Sequence, residues 1–157
     1  LMSGKARDDV AAFVQRSLIE GAVIATGGAS IEHNGGYFYA PTILSGVTPN
    51  MEVAKEEVFG PVLSVITYDT PEEALEICND VEFGLSACLY SEQMPLIERF
   101  IAEAESGMIH VNCGSFPEDH APFVGVKNSS LGVGGSNGTS TSHFYTQEHT
   151  VFLKGQV

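Results

Sequence analysis

Three apolar runs of strand length, separated by two segments of helical character, constrain the fold of this chain more than any other feature. The runs cover residues 62–68, 85–90 and 108–111, and the segments between them carry apolar residues at helical spacing. Two successive strand–helix–strand passages imply right-handed crossovers between parallel strands. The sequence therefore predicts an α/β fold with helices flanking a largely parallel sheet.

The first forty residues add a helix and several short extended pieces. Four apolar residues recur at helical spacing and predict an amphipathic helix over 8–20, which Gly21 ends. The segment 29–36 is interpreted as a loop, because it is rich in glycine and polar residues. Short strands are predicted around it, over 22–25, 37–40 and 42–44.

The two later helices carry their own start and stop signals. Thr70 fits an N-cap, Pro71 the first helical position and Glu73 the capping box of the helix that follows 62–68. Ser91 is a candidate cap for the next helix, and Gly107 fits the position just past its end.

The segment 56–61 joins carboxylates and an aromatic ring to a forced turn. If the backbone is extended at Val58, Glu57 and Phe59 point to one face. That face would offer a hydrogen-bond acceptor beside a flat apolar surface, which suits a sugar hydroxyl next to an aromatic base. Gly60 permits backbone angles closed to other residues, and Pro61 fixes its own φ. An acidic loop that merely leads into a core strand remains the alternative.

The loop 112–116 follows a strand of the predicted sheet. In parallel sheets ligands bind beyond the carboxyl ends of the strands, so this loop is a candidate pocket on geometric grounds. A surface loop whose Phe116 and Phe123 cover the edge of the core is the alternative. Cys113 could act as a nucleophile, yet the sequence places no base beside it.

Charge and composition limit the partners. The formal net charge is −13 with no cluster of Lys or Arg, which disfavours nucleic acid and anionic membranes. No apolar run reaches transmembrane length. The three cysteines have no metal-type spacing and favour a reducing cytoplasm over a disulfide framework.

Three further features are given structural rather than catalytic interpretations. The histidines show no metal spacing, and His110 is interpreted as a structural hydrogen-bond donor on a strand. The glycine-rich segment 131–138 lacks the spacing of a phosphate-binding loop and is interpreted as a mobile turn. The acidic triplet 118–120 could influence substrate charge preference, with a solvated loop as the alternative.

An ordered set of short motifs resembles the aldehyde dehydrogenase superfamily over nearly the whole chain. The set comprises Glu56-Glu57-Val58-Phe59-Gly60-Pro61, Asn112, the run from Pro122 to Ser129, and Phe144-Tyr145-Thr146. The resemblance implies a three-layer fold and an NAD(P)-dependent enzyme that oxidises an aldehyde to a carboxylic acid through a cysteine thiohemiacetal. In that family the nucleophilic cysteine and the general base lie upstream of the matched region. The resemblance therefore implies a C-terminal fragment without a catalytic residue of its own.

The same resemblance assigns roles to individual positions. It implies that Glu57 and Phe59 bind NAD or NADP. It also implies that the aldehyde pocket is lined by Cys113, Gly114, Ser115, Phe116 and Phe123. It divides the chain into part of a catalytic domain, residues 1–146, with a short helix near 139–146, and an oligomerisation strand, residues 147–157, which implies a homo-oligomer.

The sequence departs from the family near its end. Val124 and Ser130 stand where relatives usually have glycine, and Val133-Gly134 stand where an Arg-Glu pair is expected. These changes leave the substrate class and the subunit contacts open. Two alternatives to an oxidising enzyme also remain: a noncatalytic assembly module, and a reductase of acyl phosphates that shares the fold.

Overall fold

The computed structural model describes residues 1–130 and 135–155, and the chain divides into two compact units, residues 1–80 and 81–157. No helix in the described ranges is long and apolar enough to cross a membrane. The predicted glycine-rich turn lies partly outside the described residues, at 131–134.

The first unit contains three helices and five strands. The helices are α1 (Gly4–Glu20), α2 (Glu52–Lys55) and α3 (Pro71–Asn79). The strands are β1 (Val23–Thr26), β2 (Ser30–His33), β3 (Gly36–Tyr39), β4 (Thr42–Ser45) and β5 (Val62–Ser64). Strand β4 lies at the centre of a three-stranded sheet, antiparallel to β1 and parallel to β5.

The core of this unit lies between α1 and that sheet. Val10 and Val14 on α1 are buried with Leu44 on β4, and Val58 packs against the same cluster. The predicted apolar face of α1 is thus confirmed, although the helix begins at Gly4 rather than at residue 8. Ser3 is its N-cap, because its hydroxyl accepts a hydrogen bond from the Ala6 amide.

The prediction of a loop over 29–36 is wrong. Strands β2 and β3 form an antiparallel hairpin, with Ser30 opposite Tyr39 and His33 opposite Gly36. Asn34 and Gly35 make its two-residue turn with φ of 47° and 70°. An Asn-Gly pair is the commonest signal for such a turn, so the sequence contained this information.

The capping of α3 is confirmed. The Thr70 hydroxyl accepts from the Glu73 amide at 3.2 Å, and Pro71 occupies the first turn. The Glu73 carboxylate accepts from the Asp69 amide at 2.7 Å, one residue before the position that the capping box predicts. The strand before it is shorter than the predicted run over 62–68, because β5 ends at Ser64.

The second unit contains a parallel strand pair joined by a helix. Strands β6 (Phe83–Gly84) and β7 (Ser86–Leu89) precede helix α4 (Met94–Glu103) and strand β8 (Met108–Val111), and β7 and β8 are parallel. Then come β9 (Val126–Lys127), antiparallel to β6, a 3₁₀ turn (Gly138–Ser140) and helix α5 (Thr141–Tyr145). This agrees with the second of the two predicted crossovers and with the short helix near 139–146, whereas the parallel partner of β5 is β4.

The predicted role of Gly107 is wrong. Helix α4 already ends at Glu103, and Gly107 instead donates its amide to the Gly84 carbonyl as β8 begins. A side chain at Gly107 would collide with the Val124 carbonyl oxygen. Glycine is therefore required here by close backbone approach rather than by a helix cap.

Candidate functional site

The 56–61 loop in the first unit presents Glu57 and Phe59 together. It follows α2 and leads into β5. Val58 is half-buried against the core, whereas Glu57 and Phe59 are exposed, Phe59 by 78% of its surface. This alternation places the two side chains outward, as an extended backbone at Val58 predicts.

The backbone of this loop is strained at Phe59 rather than at Gly60. Phe59 has φ of 51°, which is uncommon for a residue other than glycine, whereas Gly60 has no positive φ. A β-carbon at Gly60 would lie 2.6 Å from the Val10 side chain. Gly60 therefore serves close packing against α1, and the predicted use of its conformational freedom is wrong.

A bidentate ion pair fixes the helix that precedes this loop. Arg16 on α1 donates to Glu52 on α2, from Nε to Oε2 at 2.7 Å and from Nη2 to Oε1 at 2.9 Å. The Glu20 carboxylate accepts from the Glu52 amide at 3.0 Å, at the start of α2. The hydrogen bond from Arg16 holds the pKa of Glu52 below its ordinary value, and Glu52 raises the pKa of Arg16.

A shallow groove of about 380 Å³ lies at the other end of the same loop. Gly60 and Pro61 line it together with the start of β4 and β5. Most of its lining is apolar, and Thr26 and Thr42 are its polar residues. The groove and Phe59 therefore belong to the same unit and are joined by the same loop.

The second unit contains a cavity of about 240 Å³ beside β8. It is lined by residues of the strand and of the loop that follows: Gly107, Met108, Ile109, His110, Phe116, Pro117, Glu118, Ala121, Pro122 and Phe123. Most of these groups are apolar. The cavity can therefore hold the apolar body of a small organic molecule.

The structure brings together two of the five predicted substrate residues. Phe116 and Phe123 line the cavity, whereas Cys113, Gly114 and Ser115 are not among its lining residues. A β-carbon at Gly114 would lie 2.7 Å from the Phe116 ring, so glycine lets that ring lie against the loop. The Ser115 hydroxyl lies 2.5 Å from that of Ser86 and ties the loop to β7.

Asn112 fixes the point at which the loop leaves β8. Its φ is 56°, in the left-handed region that asparagine tolerates better than most residues. Its side-chain amide makes two hydrogen bonds of 2.9 Å with Ser91, accepting from the amide and donating to the carbonyl. The loop therefore starts from a defined geometry.

The sequence did not predict His110 as a site residue. His110 lines the cavity, and its Nε2 is buried without a hydrogen-bond partner in the part of the chain that the structure describes. The interpretation of His110 as a structural donor is not supported at this nitrogen. Strand alternation predicts two faces for β8 but does not say which face a loop will cover.

No metal centre appears in residues 1–130 and 135–155: no group of three His, Cys, Asp or Glu side chains there could hold an ion. The cysteines are free thiols. Cys88 and Cys113 are exposed, and Cys78 is half-buried on α3.

Comparison with known proteins identifies the family. The model of the aldehyde dehydrogenase family matches residues 1–151. The chain belongs to the aldehyde dehydrogenase family. Its fold is accordingly the α/β fold of that family, as the resemblance predicted.

Relatives within the aldehyde dehydrogenase family differ in the substrates that they are named for. A succinate-semialdehyde dehydrogenase of Paenarthrobacter nicotinovorans is 42% identical over 88% of this chain and 31% of its own length. A chloroplastic betaine aldehyde dehydrogenase of Beta vulgaris is 42% identical over 80% of this chain and 25% of its own.

A solved aldehyde dehydrogenase structure carries the cofactor. The indole-3-acetaldehyde dehydrogenase of P. syringae, in complex with NAD+, superposes with a TM-score of 0.85 at 33% identity. The match covers 91% of this chain and 29% of that one. The chain thus spans between a quarter and a third of the length of these relatives.

Proposed function

We propose that this chain is the C-terminal part of an NAD(P)-dependent aldehyde dehydrogenase that oxidises an aldehyde to a carboxylic acid. The observation that carries the proposal is Phe59, an exposed aromatic residue held in the left-handed region beside the exposed Glu57. A strained backbone persists where its surroundings enforce it, and such positions cluster at ligand sites. Here the packing of the half-buried Val58 against the core and the close approach of Gly60 to Val10 supply that enforcement.

The two exposed groups fit a nicotinamide dinucleotide. The Glu57 carboxylate can accept charge-assisted hydrogen bonds from two ribose hydroxyls, and the Phe59 ring offers a flat apolar contact. When bound, the cofactor supplies the acceptor for the hydride that leaves the aldehyde carbon. The role of this chain is then to fix the position of that acceptor, as NAD or NADP.

The cavity of the second unit is assigned to the aldehyde. Phe116 and Phe123 would hold its apolar part, and the loop through Cys113, Gly114 and Ser115 would border the approach. Two sets of hydrogen bonds hold this loop: the contact between the Ser115 and Ser86 hydroxyls, and the two bonds between Asn112 and Ser91. Positioning of this kind lowers the entropic part of the barrier.

The nucleophile is assigned to a part of the enzyme outside these residues. Aldehyde oxidation in this family requires a thiolate that adds to the carbonyl carbon, loss of hydride to the cofactor, and attack of water on the resulting thioester to release the acid and the thiol. Cys88 and Cys113 are exposed, and no hydrogen bond reaches either sulfur from a base in the described residues. Neither is arranged as an activated nucleophile.

A second candidate function is that of a noncatalytic assembly module. The observation in its favour is the C-terminal tail, where Val151, Phe152 and Leu153 are exposed, the last two by 92%. An exposed apolar run of this kind suits contact with another chain. The two functions are compatible, because a C-terminal part of an enzyme can also carry its subunit contact.

A domain exchange tests the proposal. Residues 1–157 would replace the matching segment of the succinate-semialdehyde dehydrogenase relative, and the isolated chain would be assayed beside the chimaera. We expect NAD(P)H formation with a panel of aldehydes from the chimaera and none from the isolated chain. A well-folded chimaera without aldehyde oxidation would overturn the proposed enzyme and leave the assembly module.

A further inference from the structure

We propose that Asn34 is a site of spontaneous covalent modification, at which the side-chain amide is converted to a carboxylate. Two asparagines of the chain, Asn34 and Asn137, are followed by glycine. Glycine has no β-carbon, so its backbone nitrogen approaches the preceding side chain with little steric hindrance. The sequence therefore contains two equivalent candidates, and the structure distinguishes them. This site goes beyond the proposed enzymatic function and does not depend on it.

The reaction needs only the chain and water. The Gly35 backbone nitrogen loses its proton to solvent and forms a bond to Cγ of Asn34, and the bond from Cγ to the side-chain nitrogen breaks with release of ammonia. The product is a cyclic imide. Water then opens this ring at either carbonyl carbon, which gives aspartate or isoaspartate. The two reacting groups belong to adjacent residues, which lowers the entropic part of the barrier.

Asn34 and Gly35 are accessible to this reaction. Both are exposed at the tip of the hairpin that β2 and β3 form. The Gly35 amide makes no hydrogen bond within the described residues, and beyond its chain neighbours no atom lies within 4 Å of the place of a β-carbon. The Asn34 side chain contacts the adjacent, exposed His33 ring at 3.2 Å. Exposed loop tips also open locally at little cost in free energy.

Asn137 and Gly138 are held by the fold. The Gly138 amide donates to the Asp119 carbonyl at 3.3 Å, and a β-carbon at Gly138 would lie 2.4 Å from the His120 carbonyl oxygen. The Asn137 carbonyl accepts from the Ser140 hydroxyl at 2.9 Å. Ring closure at this site requires these contacts to be broken first, so the folded chain protects Asn137.

Isoaspartate at position 34 would disrupt the hairpin. Its main chain runs through Cβ and adds one carbon to the turn, whereas aspartate keeps the turn because an Asp-Gly pair also adopts it. The register that pairs His33 with Gly36 begins at this turn. The strands would then separate from the tip, since a two-stranded pair has little stability of its own. Tyr39, at the other end of the hairpin, is buried in the core, so the opening stays local.

The test compares the two sites in the folded and the unfolded chain. The chain is incubated at neutral pH with and without guanidinium chloride. Its tryptic peptides 17–55 and 128–154 are then analysed by mass spectrometry for replacement of NH2 by OH. In the folded chain we expect Asn34 to react about tenfold or more faster than Asn137, because a backbone hydrogen bond and close packing protect Asn137. In guanidinium chloride the two rates should be similar.

Two variants connect the modification to the hairpin. Asn34→Gly removes the reactive side chain and keeps the turn, because a Gly-Gly pair is also accepted there. In the wild type, the hydrogen-exchange rate of residues 30–39 should rise in step with the isoaspartate that forms, and in Asn34→Gly it should stay constant. Asn137→Ala is the matched control, which should age as the wild type does.

Three outcomes would contradict the proposal. Equal rates at the two sites in the folded chain, or reaction of Asn34 only after unfolding, would overturn the assignment of the site. Isoaspartate without faster hydrogen exchange in residues 30–39 would overturn its effect on the hairpin. All of these measurements are made on the chain itself without an enzyme assay, so none of the outcomes bears on the proposed function.

Discussion

At the scale of the residue, Phe59 combines a left-handed backbone with an exposed aromatic ring. Its left-handed backbone costs of order 1–2 kcal/mol for an L-residue, and its side chain recovers little by burial because it is 78% exposed. Strained positions of this kind cluster at ligand sites, which supports the proposed contact with the cofactor.

The first prediction replaces this ring. Phe59→Asn should leave the free energy of unfolding of the chain unchanged or raise it by up to about 1 kcal/mol, because asparagine tolerates φ of 51°. The same change should weaken cofactor binding in the chimaera. Thermal unfolding and cofactor titration measure the two effects.

Val58→Ala is the control for this variant. Val58 packs against the core, so its truncation should destabilise the chain by about 1 kcal/mol. If Phe59→Asn costs as much stability as Val58→Ala, Phe59 is a packing residue and the ligand argument fails.

The second residue-scale prediction concerns pH. Arg16 lowers the pKa of Glu52 from 4.5 in the folded chain, so the pair stabilises fully above about pH 4.5. That stabilisation is lost as the pH falls through the lower folded pKa. The difference in Tm between the wild type and Glu52→Gln should therefore be present at neutral pH and vanish in acid. A difference that is independent of pH would show that the pair does not titrate as described.

At the scale of elements, the strength of local signals decided what the sequence could predict. The cap at Thr70, the apolar face of α1 and the strand over 108–111 rest on neighbours within a few residues, and all three are confirmed. The Gly107 prediction is wrong because its cause is the distant Val124 carbonyl. The same limit applies to the cavity: His110 and Glu118 line it through a loop conformation that no periodicity encodes.

The third prediction tests the cap of α3. Thr70→Ala removes the acceptor for the Glu73 amide and should cost about 1 kcal/mol of unfolding free energy. Thr70→Ser keeps the hydroxyl and should cost much less. Chemical denaturation of both variants measures the difference, and equal losses would mean that the methyl group rather than the cap matters.

At the scale of the whole molecule, the tail 146–155 is exposed along its whole length. No strand forms there in the described residues, and Val151, Phe152 and Leu153 are exposed. The resemblance to the family implies an oligomerisation strand over 147–157 that pairs between subunits. That pairing needs a second chain and stays a prediction.

The fourth prediction follows from this tail. Deletion of residues 149–157 should reduce self-association of the chain without unfolding it, because residues 149–155 are exposed along their whole length. Light scattering and circular dichroism of the full and shortened chains measure the two effects. A monomeric full chain, or a shortened chain that has lost its helical signal, would contradict the proposed role in assembly.

The central claim is that Glu57 holds the cofactor of an aldehyde dehydrogenase, and a matched pair of variants in the chimaera tests it most directly. Glu57→Gln removes the charge that would bind ribose hydroxyls, whereas Glu56→Gln removes a charge that is also exposed, one residue earlier. Charge-assisted hydrogen bonds contribute about 1.5–3 kcal/mol. The cofactor concentration that gives half-maximal single-turnover NAD(P)H formation should therefore rise about tenfold or more in Glu57→Gln. It should be unchanged in Glu56→Gln. Equal cofactor dependence in the wild type and both variants would contradict the account.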